Sequence, residues 1–196
     1  MKEKTFTVPD GATIITDGMM LCDTTDVIIP KELTKISDGA FVSCTSLKTV
    51  VIPDGVTEIG EYAFLNCTSL KTVVIPDGIT KIGEGAFASC KSLETIIIPK
   101  GITEICRVAF GSCTSLKTVV IPDGVAKISE GAFVSCTSLE TIIIPKGITE
   151  ICEDAFLNCT SLKTVVIPDG LTEIGESAFA SCTSLELVLV RHLKKQ

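Results

Sequence analysis

Residues 47–69 read Leu47-Lys48-Thr49-Val50-Val51-Ile52-Pro53-Asp54-Gly55-Val56-Thr57-Glu58-Ile59-Gly60-Glu61-Tyr62-Ala63-Phe64-Leu65-Asn66-Cys67-Thr68-Ser69, and the pattern starts again at Leu70. Proline keeps a step of 23 residues from Pro30 to Pro168, phenylalanine from Phe41 to Phe179, cysteine from Cys44 to Cys182 and leucine from Leu47 to Leu185. A fixed period of this size marks a solenoid, in which each unit buries its apolar side only against its neighbours.

Within one unit, Leu47 to Ile52 is a β-branched run with alternation and reads as a strand. Leu47, Val50 and Ile52 then point inward, and Thr49 and Val51 point outward. Pro53 has no N–H for a ladder and ends the strand. Pro53-Asp54-Gly55 is a turn, with φ fixed at proline and positive φ open to glycine. Val56 to Ile59 is a second short extended piece, and Gly60 to Phe64 reads as one helical turn. Eight slots face the interior: Leu47, Val50, Ile52, Val56, Ile59, Ala63, Phe64 and Cys67. Each large apolar side chain contributes about 1.5–3 kcal/mol on burial before entropy is subtracted. One unit alone is too small to fold, whereas seven stacked units suffice.

The chain has 196 residues, 45% of them hydrophobic, a formal charge of −7 and a pI near 4.8. An acidic solenoid repels phosphate backbones, so nucleic acid is not an expected partner. No apolar run approaches the roughly 20 residues of a spanning helix, so membrane insertion is not expected either. Met1 to Val8 is polar and lacks the apolar core of a secretory signal. Seven of the ten cysteines form one column, a spacing unlike a secreted disulfide framework, and read as buried, reduced small hydrophobes. Cys106 and Cys152 share another slot two units apart, too far to bridge.

The pattern Leu-x-x-Val-x-Ile-Pro, followed by Val-Thr-x-Ile-Gly-x-x-Ala-Phe-x-x-Cys-x-Ser-Leu, resembles the BspA-like class of leucine-rich repeats. The match runs from about Asp17 to Val190. Asp17-Gly18-Met19-Met20-Leu21 with Asp26 to Pro30 resembles the usual lead-in. Departures are Glu32 at the turn glycine, and Ser37, Cys106, Ser129 and Cys152 at the slot of Gly60. The resemblance implies an α/β repeat solenoid, rich in β: a right-handed leucine-rich repeat superhelix with a parallel sheet on its concave face and short or helical turns on its convex face. It also implies a place on the cell surface or outside the cell. The expected division is a capping segment and lead-in over 1–29, seven repeats over 30–186, and a closing strand with a basic tail over 187–196. Thr5 to Val8 is expected to pair as an edge strand, and charge at Arg191 to Lys195 to discourage edge-to-edge growth.

Aligned units turn each slot into a column. Lys48, Lys71, Glu94, Lys117, Glu140, Lys163 and Glu186 form one; Lys35, Glu58, Lys81, Glu104, Lys127, Glu150 and Glu173 form another. Both alternate in sign almost throughout and read as cross-strand ion ladders worth about 0.2–1 kcal/mol per pair. The outward strand face carries a stripe of Thr72, Thr95, Thr118, Thr141 and Thr164 beside a stripe of Val74, Ile97, Val120, Ile143 and Val166. Such a face marks a contact surface for a protein or glycan. The same residue types also simply make good strands. Tyr62, the only tyrosine, and Arg107, the one basic residue in its column, are the outliers of the turn.

Enzyme chemistry finds no constellation. The one histidine, His192, stands in the tail, and no metal or phosphate motif occurs. No catalytic residue, metal or cofactor is expected. Two functional readings remain: an interaction module using the Thr and Val/Ile stripes, or a repeat scaffold of consensus or engineered type with no natural ligand. A monomer is expected, with the strand edges at the ends as the route to a dimer.

Overall fold

A computed structural model describes residues 4–16 and 23–191. The expected lead-in Asp17 to Leu21, Cys22 and the basic tail from His192 lie outside the described residues. Among the described residues seventeen strands occur, longer odd-numbered ones alternating with two-residue even-numbered ones. The odd-numbered strands are β1 (Thr5–Thr7), β3 (Asp26–Ile28), β5 (Thr49–Val51), β7 (Thr72–Val74), β9 (Thr95–Ile97), β11 (Thr118–Val120), β13 (Thr141–Ile143), β15 (Thr164–Pro168) and β17 (Leu187–Arg191). The even-numbered strands are two residues each: β2 (Ile14–Ile15), β4 (Lys35–Ile36), β6 (Glu58–Ile59), β8 (Lys81–Ile82), β10 (Glu104–Ile105), β12 (Lys127–Ile128), β14 (Glu150–Ile151) and β16 (Glu173–Ile174). All pairing is parallel and joins equivalent slots, as in Thr49↔Thr72 and Lys35↔Glu58. Odd strands make one face and even strands another, and β1 pairs with β3 at the edge.

The eight inward slots are buried as the alternation requires, with Leu47, Val50, Val56, Ile59, Ala63, Phe64 and Cys67 at 0% exposure. The phenylalanines form one stack from Phe41 to Phe179, with ring centroids 4.7–5.6 Å apart. The coil-to-coil step sets that spacing, because adjacent strands sit roughly 4.7–4.9 Å apart.

Two local expectations are corrected. No helix occurs among the described residues, so the fold is a β-solenoid and not α/β, and the segment Gly60 to Phe64 is not a helical turn. Alternate amides there bond to different places. Tyr62, Phe64 and Asn66 donate to Glu84, Ala86 and Ala88 of the next coil, and Ala63, Leu65 and Cys67 donate back to Gly60, Tyr62 and Phe64. Tyr62 and Asn66 adopt φ of 55° and 61°, which a right-handed helix does not allow. The second correction concerns Gly55, which is not among the positive-φ glycines. Close approach demands it instead: a Cβ there falls 3.1 Å from the carbonyl oxygens of Lys31 and Leu33 in the preceding coil.

The odd-strand face is not continuous. Pairing joins β1-β3-β5-β7, then β9-β11, then β13-β15-β17. The even-strand face parts once, between β8 and β10. Both seams of the odd face fall where the incoming coil carries cysteine at the slot of Gly60, namely Cys106 and Cys152. Those coils also carry Ile96 and Ile142 where their predecessors carry Val73 and Val119. Val73 is half-buried, and Val119 and Ile121 are 8% and 9% exposed.

Candidate interaction surface

The outward stripes lie where the strand alternation puts them. Thr72, Thr95, Thr118 and Thr141 are exposed, and Val74, Ile97, Val120 and Ile143 are 50%, 64%, 49% and 54% exposed. Ile28 and Val51 extend the aliphatic row toward the N-terminal end. Val166 departs from expectation. It is 7% exposed and Thr164 is half-buried. Their strand is longer than its predecessors and pairs with β17 over five residues, Thr164↔Leu187 to Pro168↔Arg191. Val166 therefore interrupts the exposed row after Ile143.

Thr118, Val120, Thr141 and Ile143 line one groove of about 920 Å³ at the seam between β11 and β13. Asp123, Lys146 and Asp169 line its turn-side end. Lys117 and Glu140 stand at the opposite end, where sign alternation predicts a pair between them. They do not pair across the groove: Lys117 binds Glu94 at 3.1 Å, and Glu140 binds Lys163 at 3.2 Å. The ion ladder is thus cut where the sheet is cut. Alternation alone does not reveal this groove. The available signal is the double-repeat echo of Pro99 to Cys106 in Pro145 to Cys152.

The ladder on the even strands holds Glu58 between Lys35 at 3.0 Å and Lys81 at 3.2 Å, and Lys127 against Glu150 at 2.9 Å. The Lys35 and Lys81 ammonium groups keep the Glu58 carboxyl below its ordinary range, against a smaller opposing effect of burial. On the turn column, Tyr62 Oη donates to Glu84 Oε1 at 2.7 Å, and Arg107 Nη1 donates to the same oxygen at 3.0 Å. The structure therefore joins the two outliers of the turn through Glu84. It sets them on the turn column, apart from the odd-strand face.

The cysteine column from Cys44 to Cys182 is in the thiol form, with no disulfide among its members. Each Sγ from Cys67 onward donates to a phenylalanine carbonyl of the preceding coil, as in Cys113 to Phe87 at 3.1 Å and Cys136 to Phe110 at 3.2 Å. Burial pushes the Cys113 thiol up to about 12. Such thiols are protonated and inert at neutral pH. Among the described residues no group of acidic, histidine and cysteine side chains suited to a metal ion occurs. No helix among them is long and apolar enough to cross a membrane.

The profile of the BspA type Leucine rich repeat region matches residues 12–136 and 80–194, with six copies. The chain belongs to the BspA-type leucine-rich repeat family. The leucine-rich repeat protein of T. pallidum is 30% identical, with a TM-score of 0.76, covering 93% of this chain and 78% of that one. A leucine rich cell surface protein from Faecalibacterium prausnitzii A2-165 is also 30% identical, with a TM-score of 0.64 and coverage of 97% and 60%. A leucine-rich repeat protein from Bacteroides ovatus ATCC 8483 is 26% identical, with a TM-score of 0.78 and coverage of 95% and 55%. This chain thus spans 60% and 55% of the last two relatives. No curated protein matches it.

Proposed function

We propose that this BspA-type chain is a non-enzymatic interaction module that binds a protein or glycan at the cell surface through its odd-strand face. The observation that carries the reading is the row Val51, Val74, Ile97, Val120 and Ile143, each 49–64% exposed on one face. An apolar row left open to water on one face generally marks a contact surface. The flanking threonines add hydroxyl donors and acceptors at every coil. Membership of a family with a named cell-surface relative supports the location.

The test is a pull-down of extracellular-matrix and host-surface proteins and glycans. It compares the native chain with a variant carrying Lys at positions 74, 97, 120 and 143, confirmed folded by circular dichroism. A ligand retained by the native chain and lost by the variant supports the reading. Equal retention by both moves the contact off this face.

A further inference from the structure

The groove between β11 and β13 is more than a widening of the contact face. Resting on the reading above, we infer that it seats one extended peptide segment of a partner protein. An apolar side chain of that segment lies between Val120 and Ile143, and a neighbouring lysine or arginine lies against Asp123.

Three observations select this place and this ligand. The first is shape. At the β7 and β9 seam both faces of the solenoid part, because β8 and β10 are unpaired as well. At the β11 and β13 seam the even strands β12 and β14 stay paired, so the gap is a wedge that opens only on the odd face. The floor of that wedge is aliphatic, with Val119, Ile121 and Ile144 reached from outside.

The second is backbone chemistry. No strand pairing joins β11 to β13. The two facing strand edges carry N–H and C=O groups outside the ladder, and an extended peptide lying along the mouth of the wedge offers donors and acceptors to them. Thr118 and Thr141 add hydroxyls on the same walls.

The third is what the face lacks and what charge it carries. The chain has no tryptophan. Its one tyrosine, Tyr62, is on the turn column, and the phenylalanines from Phe41 to Phe156 are fully buried. Sugar rings are held largely by stacking on aromatic faces, and this face offers none. Aliphatic walls suit a peptide side chain. Asp123 and Lys146 line the turn-side end, and the whole chain carries −7. A basic residue beside the apolar one is the complementary choice.

The test is methyl NMR on the isoleucine- and valine-labelled chain. Three probes are titrated: a capped heptapeptide alternating lysine and leucine, its glutamate–leucine counterpart, and maltoheptaose. The expected result is saturable shifts at Val120 and Ile143 with the lysine peptide, and none at Val51 and Val74. The Asp123→Asn variant weakens that binding by about threefold. Equal shifts along the whole row overturn the groove while leaving the odd-strand face as a contact surface. No shift with either peptide, stronger binding of the glutamate peptide, or shifts with maltoheptaose each overturn the inference. So do concentration-dependent shifts without any probe, which assign the groove to a second copy of the chain.

Discussion

The rings of Phe87 and Phe110 lie 5.6 Å apart, the widest step in the phenylalanine stack. Between them the coil slot held by Gly60 and Gly83 passes to Cys106. Where the incoming coil has glycine at this slot, the ring steps are 4.7, 5.1 and 5.1 Å. Where it has Cys106, Ser129 or Cys152, they are 5.6, 5.4 and 5.3 Å. One atom explains the difference. A Cβ at Gly83 falls 2.6 Å from the Glu61 nitrogen and 2.7 Å from the Gly60 carbonyl carbon, so a coil bearing a side chain there stands further off.

Gly83→Ala should therefore destabilise the chain by about 1–3 kcal/mol, the usual cost of forcing atoms into a filled contact. Urea unfolding reads it as a lower midpoint at unchanged slope. Cys106→Ala removes only a sulfur from a coil already set back, and should cost less than half as much. Equal effects at the two sites would remove the link between this slot and the coil step.

The sequence shows the coil count, strand faces and inward slots because each rests on side-chain alternation at a fixed step. Leu47, Val50 and Ile52 could face nowhere else in a strand whose partners repeat them. The backbone of the turn is less legible. Gly39, Gly85 and Gly131 share a slot with Asp154 and Ser177, a mixture that favours positive φ, yet Tyr62 and Val108 in the same slot mask it. The groove is least legible of all, since it depends on small offsets between coils that read as near-identical letters.

Val108 is the sharpest consequence of that slot. It is a β-branched residue at φ 52°. The left-handed region costs an L-residue roughly 1–2 kcal/mol, and glycine escapes that cost. Val108→Gly should raise stability by about 0.5–1 kcal/mol once the greater freedom of the unfolded glycine is subtracted. Val134 lies three residues beyond Gly131 and does not adopt positive φ. Val134→Gly should lower stability by a similar amount. Thermal denaturation of the two variants separates backbone strain from the effect of glycine alone.

Thiol labelling should divide the cysteines by place. Cys106 and Cys152 are half-buried, whereas Cys67, Cys90, Cys113, Cys136 and Cys159 are at 0% exposure. Burial also pushes the Cys159 thiol up to about 12. Peptide mapping after brief iodoacetamide treatment should find Cys106 and Cys152 modified well before these column members. The column should react in step with global unfolding in urea. Early modification of Cys113 would mean that coils part locally in the native state.

Tyr62 gives a direct reading of the turn cluster, because the chain has one tyrosine and no tryptophan. Its hydrogen bond to the Glu84 carboxylate, with a lesser contribution from burial, raises the phenol above its ordinary value near 10. The same bond, followed by that from Arg107, keeps the Glu84 carboxyl below its ordinary value near 4.5. The signs follow by linkage. A phenol raised on folding contributes stability that is complete below its unfolded value and is lost as pH climbs through the folded one. A carboxyl lowered on folding contributes stability that is present above its unfolded value and is lost as pH falls through the folded one. The bond therefore acts over the whole range between carboxylate and phenol titration. Ultraviolet titration of the native chain should place the phenolate transition above 10, and Glu84→Gln should bring it back toward 10. Arg107→Gln should raise it further, since the guanidinium favours phenolate and competes for the same oxygen. If Glu84→Gln leaves the transition unmoved, Tyr62 and Glu84 do not meet in solution, and the turn column has no connected polar cluster at that point.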